Sequence, residues 1–255
     1  MRKIYNICLV IPALIITCWC SSILAQDEPE RTKSNESAAV KMESSGDSKS
    51  KLFWVFLTAG KKTDGIESET IEAMQAAHLK NFKRLADEGS LLAAGSMSDP
   101  TEKLKGIAIV RAMDNKSLTV MFQDDEYIKG GIRKIEATEM TLDHGIINVS
   151  QARSGMQEYR LVMLQKMKRD SDTEFDLGPS NAAIEEMYAN KELRLAVTLD
   201  ETKYGRSRIL VLNKPEDEAA TLNETLNQIP AVKQGYWKPD VIPLFLGKGT
   251  LKPAS

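Results

Sequence analysis

Glu88-Gly89-Ser90-Leu91-Leu92-Ala93 and Asn190-Lys191-Glu192-Leu193-Arg194-Leu195 read as one junction occurring twice, 102 residues apart. In each, a helix stops and an apolar strand begins. A second pair, Ile128-Lys129-Gly130-Gly131 and Val232-Lys233-Gln234-Gly235, is separated by 104 residues. Two nearly constant offsets point to a tandem duplication with small gaps; two unrelated α+β segments are the alternative.

Working outward, Leu52-Phe53-Trp54-Val55-Phe56-Leu57 is an apolar run of strand length ended by Gly60. A helix is expected next, with an apolar stripe of Ile71, Met74, His78, Phe82 and Leu85 at three- and four-residue steps. Glu67, Glu69 and Glu72 lie early in it, Lys80, Lys83 and Arg84 late, as the helix dipole favours, and Gly89 stops it. Leu91 to Met97, a turn at Asp99-Pro100, and Gly106 to Val110 read as a hairpin. Asn115 to Phe122 reads as a short helix and Ile132 to Met140 as a last strand. The order is β-α-β-β-α-β, the ferredoxin-like module. The second half repeats it: strand 159–165, helix 181–190, strands 193–199 and 207–212, and helix 215–228. Tyr236, Trp237 and Phe245, with Pro239 and Pro243, read as packing in a final strand and tail, and the fold class expected is α+β.

The N-terminus has a different character. Arg2 and Lys3 precede an apolar core from Ile7 to Trp19 and small residues ending at Ala25, the pattern of a signal peptide over residues 1–25 cleaved after Ala25. An uncleaved signal acting as a membrane anchor is the alternative, and Leu14-Ile15-Ile16-Thr17-Cys18 faintly resembles a lipoprotein signal. Residues 26–50 contain no aromatic, Leu or Ile, and their six acidic and four basic side chains describe a solvated linker. The two folded segments are then expected over 51–150 and 151–255, in an exported protein, periplasmic or extracellular.

Composition removes several functions. All three cysteines, Cys8, Cys18 and Cys20, fall in the signal, so the body has no disulfide, no thiolate nucleophile and no Cys-ligated zinc. Only His78 and His144 are present, and a multi-His metal site within one chain is not expected; nor is any cofactor. His144, beside Asp143, reads as a loop residue between the copies. With 34 basic and 36 acidic side chains there is no electrostatic case for nucleic acid. Losing Arg2 and Lys3 with the signal leaves 32 basic side chains and a formal charge of −4. There is no Gly-rich phosphate loop, no Ser-centred nucleophile elbow and no His-Glu-x-x-His helix.

The first half resembles the YCII-related family over about residues 51 to 141. The matching residues are Ala77-His78-Leu79, Leu92-Ala93-Ala94-Gly95-Ser96-Met97-Ser98-Asp99, and Asp125-Glu126-Tyr127-Ile128-Lys129-Gly130-Gly131-Ile132. The family pattern has a Pro after the acid, where this chain has Glu126. The resemblance implies a dimeric α+β barrel, here formed within one chain by two ferredoxin-like modules, the second a degenerate copy. It also implies a His and Asp paired in a pocket for acid–base chemistry on small organic molecules. By motif position the pair is His78 and Asp125.

Taken by itself, His78 lies on the inward stripe of its helix, where a neutral imidazole needs a partner for its N–H. A nearby Asp125 would fix the tautomer and leave the other nitrogen to move a proton. Such a dyad lacks a nucleophile and suits proton abstraction, elimination or isomerisation. The plainer alternatives are a satisfied core histidine and an Asp125 that caps a helix. Asp124 is a competing acid, while Ser96 and Tyr127 are candidates to hydrogen-bond a substrate. The offsets align His78 with Ser180 and Asp125 with Ile229, neither of which can act as a base. The expectation is a lyase or isomerase with one site per chain, the second half serving as a built-in partner subunit. The competing expectation is a non-catalytic binding or structural module. A small organic molecule is the expected partner, self-association is open, and membrane contact is expected only through an uncleaved signal.

Overall fold

A computed structural model describes residues 50–149, 155–168, 175–200, 206–213 and 218–252. The signal segment, the linker up to residue 49 and the expected helix start at 215–217 lie outside the described residues.

The first half consists of β1 (Lys51–Ala59), α1 (Ser68–Asp87), β2 (Leu91–Met97), β3 (Leu104–Ala112), α2 (Asn115–Phe122), α3 (Glu126–Lys129) and β4 (Arg133–Ile147). The second consists of β5 (Met156–Lys166), α4 (Gly178–Ala189), β6 (Leu193–Leu199), β7 (Arg206–Asn213), α5 (Glu218–Asn227), α6 (Pro230–Lys233) and β8 (Trp237–Gly247), followed by the short β9 (Leu251–Lys252). The first eight strands pair in the order β1-β3-β2-β8-β5-β7-β6-β4 and return to β1, every pair antiparallel, so the sheet closes into an eight-stranded barrel. Closure satisfies the backbone groups that an open sheet leaves at its edges.

Strand alternation divides the side chains between one interior core and two outer ones. Trp54, Phe56, Ile107, Ile109, Leu161, Met163, Val211 and Leu244 fill the barrel interior. On the outer face of the first half, Phe53, Val55, Ala108 and Val110 meet Leu85, Leu118 and Phe122 of the helices. Val162, Leu164, Ala196 and Leu210 meet Ile184, Met187, Leu226 and Ile229 on the second.

The halves correspond in detail. Register shifts fall between Leu91 and Ala93 against β3, and between Leu193 and Leu195 against β7. Ser90 N donates to Leu85 O as Glu192 N does to Met187 O, and Arg111 N donates to Ser90 O as Asn213 N does to Glu192 O. Both helix ends use a left-handed residue, Gly89 at φ 74° and Lys191 at φ 63°. The turns into β4 and β8 repeat this with Gly131 at φ 74° and Gly235 at φ 70°, a conformation glycine adopts without strain.

Three features depart from the sequence reading. The last strand of the first half does not stop near Met140; β4 continues to Ile147, so His144 is a strand residue rather than a loop residue. A bulge between Leu142 and His144 breaks the alternation there, while Met140 to Gly145 pair with Leu199 to Leu195 of β6. The short helices α3 and α6 were not anticipated, since four residues carry no periodicity. Finally, the two halves join by strand pairing as well as by packing: β2 with β8, and β4 with β6, make the two seams.

Candidate functional site

Residues 123–125 are the short link between α2 and α3, and Asp125 is the N-cap of α3. Its Oδ1 accepts from the Tyr127 N–H at 3.1 Å and, more weakly, from the Ile128 N–H at 3.4 Å, satisfying amides that the first turn of a helix leaves without partners. Its other oxygen, Oδ2, lies 2.6 Å from His78 Nδ1 on α1. The Asp125 side chain is fully buried and that of His78 is 13% exposed. One carboxylate oxygen of Asp125 thus caps α3 while the other contacts His78.

Burial pushes the Asp125 carboxyl up, but the hydrogen bond and charge interaction with His78, the Ile128 amide and Asn81 outweigh it and hold the group below its ordinary value. Asp125 is therefore an ionised acceptor, and Nδ1 of His78 must carry the hydrogen. Nε2 is left as the ring nitrogen able to accept a proton.

The surroundings fix the imidazole plane. Its centroid is 4.2 Å from that of Phe82, one turn along α1, and 5.3 Å from that of Tyr127 on α3. Asn81, buried beside it, ties α1 to α2 by donating to Met121 O at 3.3 Å and accepting from Arg84 at 2.8 Å. The Tyr127 hydroxyl reaches Gln75 Oε1 at 3.5 Å, and burial raises its pKa. Arg133, the first residue of β4, sets its guanidinium carbon 5.4 Å from the Tyr127 ring centroid. Burial pulls that guanidinium below its ordinary value.

Of the four candidates, His78, Asp125 and Tyr127 come together. Ser96 is exposed on β2, opposite Gly106 on one side and Phe245 on the other, and makes no side-chain hydrogen bond with the three among the described residues. Asp124 is exposed. His144, on β4, stacks against Tyr188 of α4 in the second half, with ring centroids 5.4 Å apart. Arg133, Gln75 and Asn81 escaped the sequence reading. Arg133 carries the one usable signal, a charge in step with Ile135 and Ala137 of the same strand, which pack against the helices.

The second half supplies an internal control. Ser180, at the position of His78, is fully buried and accepts a hydrogen bond at its Oγ from the Ala231 N–H at 2.9 Å. Ile229, at the position of Asp125, is the buried N-cap of α6. Tyr127 and Arg133 correspond to Ala231 and Trp237, both buried in the outer core. The scaffold hydrogen bonds persist: Gly130 N to Glu126 O becomes Gln234 N to Pro230 O, and Gly131 N to Ile128 O becomes Gly235 N to Val232 O. One fold position is therefore built with ionisable groups in one half and with apolar or hydroxyl groups in the other.

Fold and site together define an α+β barrel that holds a buried carboxylate–imidazole pair between two helices of one half. Residues 52–141, which include His78, Asp125, Tyr127 and Arg133, match the model of the YCII-related domain. No curated protein matches the chain by sequence. Among solved structures, it is similar to a candidate monooxygenase from Fusobacterium nucleatum subsp. nucleatum, at 11% identity and TM-score 0.51 over 80% of this chain and 94% of that one. It is also similar to a candidate monooxygenase from Lactobacillus acidophilus NCFM, at 13% identity and TM-score 0.47 over 81% and 100% of the two chains. An anthrone oxidase-like protein aligns at 10% identity and TM-score 0.43 over 82% and 95%. At 11% identity the likeness to the Fusobacterium protein is one of fold.

Proposed function

We propose that the protein is an acid–base enzyme of the lyase or isomerase kind acting on a small organic molecule, with His78 as general base and Asp125 as its positioning residue. The observation that carries this is the 2.6 Å contact between His78 Nδ1 and the buried Asp125 carboxylate, at a place where the other half makes do with Ser180 and Ile229. A cap and a helix-to-helix tie are all the scaffold requires, and a serine hydroxyl provides them. The ionisable pair exceeds that requirement. In the proposed reaction Nε2 takes a proton from the substrate, and the imidazolium so formed faces a carboxylate already ionised and desolvated beside it. Return of the proton to another atom gives isomerisation; loss of a leaving group gives elimination. Tyr127 and Ser96 remain the candidates for hydrogen bonding to the substrate.

We further propose that the chain is a tandem duplicate of one ferredoxin-like module, with a boundary near residue 150, whose degenerate second copy serves as a built-in partner subunit. The repeated pairing order and the matched register shifts support this. Export through residues 1–25 belongs to the same proposal.

The test is a thermal-shift screen of the purified protein against small organic molecules, followed by incubation of the hits in D2O. A general base exchanges deuterium into a carbon acid or releases product. His78→Asn should lower that rate by about 10²- to 10⁴-fold with binding retained. A folded His78→Asn protein that works at the wild-type rate would exclude the dyad from the chemistry.

A further inference from the structure

Arg133 occupies an unusual position for a cation. As the first residue of β4 it pairs with Ala59, and strand alternation puts it on the face that Ile135 and Ala137 turn toward the helices. It is half-buried there. Its contacts are a hydrogen bond from Nη1 to the Ile132 carbonyl at 3.2 Å and the face of Tyr127. Among the described residues no carboxylate pairs with it. A guanidinium has five N–H donors in a rigid fork, and removing it from water without a counter-anion is unfavourable.

The second half again shows what the scaffold needs. The equivalent residue Trp237 is 3% exposed, and Arg208, whose guanidinium carbon lies 5.6 Å from the Trp237 ring centroid, has partners. Arg208 reaches Asn181 at 2.7 Å, Thr198 at 3.2 Å and the Asp143 carboxylate at 3.4 Å. Arg208 corresponds to Gly106 in the first half, which brings no side chain to that place. One half thus has an indole beneath a neutralised arginine, and the other an arginine without an anion, touching the same tyrosine that touches His78.

We propose that Arg133 is the anion-recognition residue of the site, taking the carboxylate of a small organic acid so that the acid's reacting proton faces Nε2 of His78. This rests on the acid–base reading given above and narrows its substrate class to carboxylates. The fork of Arg133 suits bidentate pairing with a carboxylate, and the rings of Tyr127 and Phe82 offer apolar surface to the rest of the molecule. A carboxylate so anchored also places a positive charge beside the negative charge that develops when its neighbouring carbon loses a proton.

The test uses benzoate, salicylate and phenylacetate, each against its neutral amide, with binding followed by NMR at the Arg133 Nε–H and His78 ring resonances. At least one acid should bind saturably at both residues and about tenfold or more tighter than its amide. Arg133→Met should abolish that preference while the melting temperature holds or rises, since an unpaired half-buried charge is removed. His78→Asn should keep the binding of that acid, so the two proposals separate: if acid binding disappears with Arg133→Met but hits still turn over in His78→Asn, the dyad fails and the anion site stands. If no acid is preferred over its amide, or if Arg133→Met binds the acids as the wild type does, the assignment of Arg133 is overturned.

Discussion

Ser180 Oγ accepts from the Ala231 N–H at 2.9 Å, joining α4 to α6 where His78 and Asp125 join α1 to α3. The same mechanical link is made once by a single neutral hydrogen bond and once by an imidazole, a carboxylate and two backbone amides. That pairing separates what Asp125 does for the fold from what it does for His78.

Replacing Asp125 by Ala should destabilise the protein by about 3–5 kcal/mol, because it leaves the imidazole N–H and the first amides of α3 buried without an acceptor. Asp125→Asn keeps one acceptor and should lose about half as much. Urea denaturation of the two variants beside the wild type gives the comparison.

Replacing His78 by Ser and Asp125 by Ile together imports the chemistry of the second half. The double variant should be more stable than the two single losses predict when added, by about 0.5–3 kcal/mol of coupling, because each single change strands the other partner. A purely additive cycle would show that the pair is not energetically linked.

Stability should fall on acidification through Asp125. Its folded pKa is depressed, so its contribution is complete above the unfolded value of about 3.9 and is lost as pH drops through the folded one. Denaturation midpoints measured from pH 6 downward should show an acid limb that is shallower in Asp125→Asn. Identical limbs would remove the carboxylate from the explanation.

Lys191 holds φ 63° at the helix end where the first half has Gly89. Lys191→Gly should therefore stabilise the protein by about 0.5–1 kcal/mol, relief of left-handed strain exceeding glycine's greater unfolded freedom. A loss of stability in thermal melts would show that the lysine's stem packs usefully.

Protein recovered from the medium or periplasm of an expressing bacterium should begin at Gln26, the residue after the expected cleavage at Ala25. Intact-mass measurement decides this, and a full-length mass in the membrane fraction would favour the anchor.

The sequence was informative where physics is local and repeated. Two short echoes, around Leu91 and Gly131, were enough to anticipate that the halves correspond, because left-handed glycines and strand starts are fixed by backbone sterics. His78 and Asp125 were legible through position, their contact only through the fold. What escaped had no local signal. α3 and α6 are too short for a period, and the Asp143 bulge hid the continuation of β4. Arg133 looked like an ordinary charge at the start of a strand until Tyr127 was seen beside it. Ser180, aligned with His78 but unable to act as a base, makes the bond that explains its counterpart.

Barrel closure within one chain has a further consequence. In a barrel made of two separate identical chains, dissociation on dilution opens both seams, and any change in one copy is forced on the other. Here β2–β8 and β4–β6 are intramolecular, so the seams survive at any concentration. The linkage also lets the two halves differ, with Ser180 and Ile229 in one where the other has His78 and Asp125. A protein built in this way keeps its barrel closed at extreme dilution, and a residue changed in one half leaves the other half untouched.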